Sequence, residues 1–192
     1  MSEVTPTTPQ SLDDLLARAE DFALFSMRAQ GKVLPTLFAV GPGGPLFFVP
    51  SPLANERAKD NFANVARLIC IAHAATAAVM ILEAWMKVAS PDGTLDLTVP
   101  PSQSLHRKEV VMLTGESRTG CRQKILPIIR TGAGGFFGFG EFAGPEVTSF
   151  SGRFAQILPP KPPRPAAQTR AGLLLTTMGV SADALRRDWS AN

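Results

Sequence analysis

Charged residues make up 18 % of this 192-residue chain; cysteine and histidine appear twice each, and tyrosine not at all. So little charge beside 45 % apolar residues excludes a disordered, solvating chain. It points to a filled core with part of the surface covered, as at an oligomer interface. Two cysteines, Cys70 and Cys121, exclude a disulfide framework. The most apolar stretch, Leu68 to Leu82, is broken by His73 and Thr76 and bounded by Arg67 and Glu83. A membrane span needs about 20 apolar residues, so the stretch reads instead as a buried helix end followed by a central strand. Met1 to Asp14 has no basic segment leading into an apolar one and does not read as a secretory signal. The expectation is a reducing, cytoplasmic setting with both cysteines as thiols.

Catalytic and cofactor motifs are also missing. Cys70, His73, His106 and Cys121 fit no zinc-ligand spacing, and no CxxC or HxxxH pair exists. There is no GxSxG elbow. The glycines from Gly132 to Gly140 fail the dinucleotide fingerprint and the phosphate loop, because Phe137 stands where a glycine is required and no Gly-Lys-Ser/Thr follows. Their phenylalanines suggest a short strand on the core. Cys70 lies on a predicted buried stripe, where a thiol is inert. Arg118, Arg122 and Lys124 around Cys121 would favour its thiolate if it were exposed. Glu83 and Glu116 read as solvated partners of Lys87, Arg118 or Lys124 rather than an acid–base pair. No cofactor and no metal is expected, and the chain leans away from an enzyme.

The local signals that are present define an order of elements. Ser11 is a helix N-cap with Asp14 three residues on, and Leu12, Leu15, Leu16, Ala19, Phe22, Ala23 and Met27 recur at helical spacing up to Gly31. Residues 36–40 and 46–49 form a hairpin across a Gly/Pro turn. Asn55 or Ser51 caps a second helix whose stripe is Phe62, Val65, Ala66, Ile69, Cys70 and His73. Ala77 to Val88 is a strand, with Met80, Leu82, Ala84 and Met86 facing one way and Val79, Ile81, Glu83 and Trp85 the other. A turn at Ser90 to Gly93 and a long loop follow. Glu109 to Glu116 and Cys121 to Arg130 are further strands, and Pro127 places the latter at an edge or a bulge.

Helices are few and the strands mostly consecutive, which predicts an α+β fold. The expected order is α-β-β-α-β-β-β, with an antiparallel sheet of about five strands and two main helices. Over roughly residues 11–142 this order resembles profilin-like and roadblock-like sheets, and no sequence motif carries the likeness. The expected organisation is a flexible lead-in (1–10), one α+β domain (11–158), a proline-rich linker (159–170) and a short helical tail (171–192). Pro159 to Pro165 reads as a polyproline II spacer.

The net charge of +3 is unevenly spread. Between 101 and 130, six basic residues face only Glu109 and Glu116. Arg118, Arg122, Lys124 and Arg130 are therefore the candidate contacts for nucleic acid or another anion, although so small a total charge does not require one. Pro159, Pro162, Pro165, Leu185 and Trp189 are the candidate partner-docking residues on the tail. The leading expectation is a non-enzymatic protein-interaction or dimerisation module. An accessory nucleic-acid-binding protein using the basic strand comes second, and a small enzyme of unknown class third.

Overall fold

A computed structural model describes residues 11–88, 98–142, 151–181 and 185. The predicted turn at Ser90 to Gly93 and Trp189 lie outside them.

The capping signals act as their chemistry requires. Helix α1 spans Leu12–Gln30; the Ser11 side chain accepts from the Asp14 N–H, and Asp14 accepts from the Ser11 N–H in return. Gly31 closes the helix at φ 70°, a left-handed conformation that costs glycine nothing. Strands β1 (Thr36–Gly41) and β2 (Gly44–Phe48) form the hairpin, and α2 follows at Glu56–Ala72, capped by Asn55. Then come β3 (Ala77–Lys87), β4 (Arg107–Ser117), β5 (Gly120–Arg130), β6 (Phe136–Phe139) and α3 (Pro165–Thr177).

The strands form one antiparallel sheet of six in the order β2-β1-β3-β4-β5-β6. The fold is α+β as expected; the sheet has six strands where about five were expected, the sixth being the short Gly/Phe strand, and α3 overlaps the expected helical tail but begins earlier. That sixth strand overturns the edge alternative for Pro127, while the ladder does shift register close by, between Ile129 and Arg130. β5 is an inner strand, paired with β4 on one side and β6 on the other. The proline is tolerated because the β6 ladder begins only at Ile128, and the Pro127 carbonyl accepts the Gly140 N–H at 2.8 Å.

Alternation along the strands splits the core into two layers. On one face α1 buries Leu15, Ala19, Ala23 and Met27 against Phe38, Val79, Ile81, Val111 and Leu113. Phe22, Phe38 and Phe47 pack edge to face there, with centroids 5.1–5.5 Å apart. On the other face α2 sets Phe62, Val65, Ile69 and Cys70 on Leu37, Ala39 and Met80. Each large aliphatic side chain removed from water in these layers contributes about 1.5–3 kcal/mol.

The C-terminal part joins the second layer. Ile157, Leu158, Leu175 and Leu185 are buried in it. Residues 151–158 are irregular, and α3 begins at Pro165, inside the stretch expected as a linker. Proline suits this first helical position because no N–H is needed there.

Candidate functional site

Two features on the α2 side of the sheet have the shape and chemistry of a site. The first is a cleft of about 850 Å³ where the β4–β5 turn faces residues 156–160. Arg67, on α2, fixes the far wall: its guanidinium donates to the carbonyls of Arg153 at 2.7 Å, Ala155 at 3.0 Å and Gln156 at 3.3 Å. Gln156 is held at φ 55°, a left-handed conformation unfavourable for a side chain of its kind. From the opposite wall, Glu116 at the end of β4 accepts the Leu158 N–H on Oε2 at 2.9 Å. Arg118, in the turn, donates through Nη2 to the Ala75 carbonyl at 3.2 Å.

Two polar atoms remain. Glu116 is 9 % exposed, and no donor among the described residues reaches its Oε1. The buried Nε of Arg118 likewise meets no acceptor among them. Leaving such groups unmatched costs about 1–3 kcal/mol each. The rest of the lining is largely apolar, from Ile71, Ile157, Leu158, Pro159 and Pro160. The volume suits a small-molecule or peptide site.

The second feature is an apolar trough further along the same face. The α2-side core reaches Leu82, but Met86, Met112 and Ile125 belong to neither core layer. With Trp85, Lys87, Thr98, Val99, Pro100 and Pro101 they line an open trough of about 580 Å³, and Lys108 lies beside Met86 on the same face. Pro127 and Ile129 continue this face of β5, and Ile129 is 42 % exposed.

The basic residues predicted as one face of β5 do share a face, but it is the face that α1 covers. The Arg122 guanidinium lies 3.3 Å from Asp13, and Lys124 reaches Glu20 at 2.5 Å. Arg130 is bidentate to Glu109 at 2.7 Å for both bonds, an arrangement that holds its guanidinium above its ordinary pKa. Arg118 points to the opposite face. The surplus charge that motivated a nucleic-acid interface is thus matched by acids on α1 and β4, and the four residues form no common patch.

The other candidates disperse as well. Pro159 lines the cleft, Pro162 is exposed and Pro165 opens α3. Leu185 is 1 % exposed and packs inside the α2-side core instead of facing a partner. Glu83 and Glu116 lie on opposite faces of the sheet: Glu83 accepts the Val33 N–H at 2.5 Å beside α1, while Glu116 bonds Leu158 on the α2 side. Partial desolvation raises the Glu83 pKa above the usual carboxylate range, opposed by that N–H. Burial, with help from the Glu116 charge, pushes the Cys70 thiol up to about 12. Cys121 is half-buried at the rim of the cleft, cross-strand from Glu116. Among the described residues no three His, Cys, Asp or Glu side chains group as metal ligands.

Two contributors went unread in the sequence. Glu116, expected in solvent, is buried. Its phase was the signal, since it alternates with Val110, Met112 and Thr114 on one face of β4. Arg67, at the polar border of the α2 stripe, carried no sign of its three carbonyl partners about 90 residues away. No family model, curated protein or solved structure matches the chain.

Proposed function

We propose that this protein is a non-enzymatic interaction module that self-associates through the trough side of its sheet. The observation that supports the reading is the apolar strip Ala84, Met86, Met112, Ile125, Pro127 and Ile129, which neither core layer takes up. Two copies related by a two-fold axis present the same patch to each other. Its charges, Lys87 and Lys108, stand at the Met86 end, so a two-fold axis through Met112 and Ile125 keeps like charges apart and a second copy is the occupant it fits best. The low charged content of the chain agrees with a surface partly covered in this way.

The test is a pair of variants followed by sedimentation velocity. Ile125→Glu places a charge in the middle of the strip and is expected to give monomers with an unchanged far-UV circular dichroism spectrum. Phe25→Glu alters a side chain that is 55 % exposed on α1, on the other side of the molecule, and is expected to leave self-association intact. Equal sedimentation of wild type and Ile125→Glu would remove this surface from the account.

A further inference from the structure

We propose that the cleft between the β4–β5 turn and residues 156–160 binds a small zwitterion with an apolar body, an amino acid or short peptide, its ammonium on Glu116 and its carboxylate on Arg118. The argument starts from what the cleft's charged groups already do. Arg67 spends its donors on the carbonyls of residues 153, 155 and 156 and on the Asn64 side chain. That leaves one acid and one base with capacity. Glu116 Oε1 accepts nothing and Arg118 Nε donates to nothing among the described residues; both are buried atoms of residues that line the same cleft, and a ligand meets them once the two side chains turn toward its opening.

A ligand that satisfies both atoms must bring one donor and one acceptor. A simple anion would leave Glu116 unmatched and opposed, and a simple cation would do the same to Arg118. A zwitterion matches both, and charge-assisted hydrogen bonds are the stronger kind. The remaining walls, Ile71, Ile157, Leu158, Pro159 and Pro160, would take an aliphatic side chain. Glu116 is held through its other oxygen by the Leu158 N–H and Arg118 through Nη2 by the Ala75 carbonyl, which keeps both side chains at the cleft.

The experiment is calorimetric titration of the full chain with four probes: leucine, leucyl-leucine, N-acetyl-leucine and leucinamide. The first two carry both charges, the third lacks the ammonium and the fourth lacks the carboxylate. Leucine or leucyl-leucine is expected to bind at least about tenfold more tightly than either blocked probe. The tighter of the two tells free amino acid from peptide. Glu116→Gln keeps an acceptor for Leu158 and is expected to erase the preference over N-acetyl-leucine. Arg118→Gln is expected to erase the preference over leucinamide, and it keeps the proposal testable should the Glu116 variant fail to fold. No heat with leucine or leucyl-leucine, or blocked probes binding as tightly as leucine, would overturn the proposal. So would a folded Arg118→Gln that still discriminates against leucinamide.

Discussion

Replacing Arg67 by alanine removes the group that ties α2 to the irregular segment below it. Two of its bonds, at 2.7 and 3.0 Å to the carbonyls of Arg153 and Ala155, lie well within hydrogen-bonding range and come from a charged donor. The third, at 3.3 Å to Gln156, is weaker. A bond to a charged group contributes about 1.5–3 kcal/mol when sequestered. Arg67 and its acceptors are only part-buried, so water recovers some of that loss for each carbonyl. The expected total is roughly 2–3 kcal/mol for the set. For a chain of this size each kcal/mol shifts the unfolding midpoint by about 2–4 °C, which predicts a fall of about 4–12 °C in thermal unfolding followed by circular dichroism. Arg67→Lys should restore less than half of it, because one ammonium cannot fork across several carbonyls as a guanidinium does. The Leu158 amide should also exchange faster in both variants. An Arg67→Ala midpoint within about 1 °C of wild type would refute the clamp.

Three other outcomes follow from the geometry. A β-carbon on Gly41 would sit 2.6 Å from the His73 backbone oxygen, so Gly41→Ala should lose about 1–3 kcal/mol in urea unfolding through overpacking, and an unchanged midpoint would count against the close approach of β1 to the end of α2. The raised pKa of Glu83 means the folded chain keeps a proton that the unfolded chain has released; the resulting stability is full below the ordinary carboxylate pKa and is lost as pH rises through the folded value. Stability measured across that window should therefore fall less steeply with rising pH in Glu83→Gln than in wild type, and equal slopes would contradict the shift. A thiol reagent should titrate half-buried Cys121 in the native protein and reach Cys70, with its pKa near 12, only after denaturation; two fast native thiols would contradict the burial of Cys70.

What could be read in advance was what local chemistry encodes. Ser11 with Asp14, Asn55 and Gly31 mark helix ends by hydrogen bonds within a few residues, and the α1 and α2 boundaries fell where those residues stand. The two faces of β3 followed from alternation alone. Pairing partners were harder. Pro127 argued for an edge or a bulge; β6 docks beside β5 from Ile128 onward, so the edge is ruled out, and the register shift lies two residues further on, between Ile129 and Arg130. The basic alternation of β5 was read correctly as a face, while the acids facing it, Asp13 and Glu20, come from a helix more than 100 residues earlier. The cleft was the least legible part. Glu116, Arg118, Arg67 and Leu158 meet only through tertiary packing, and the segment that carries Leu158 has no periodicity to announce it.

The central claim is that the apolar strip across β3, β4 and β5 is covered by a second copy of the chain. Light scattering on wild-type protein eluting from a sizing column, over a range of loading concentrations and at low and high salt, tests it most directly. The account predicts a dimer mass that grows with concentration and survives high salt, because an apolar interface is not screened. A monomer mass at every concentration, or a dimer that dissolves as salt is raised, would contradict it.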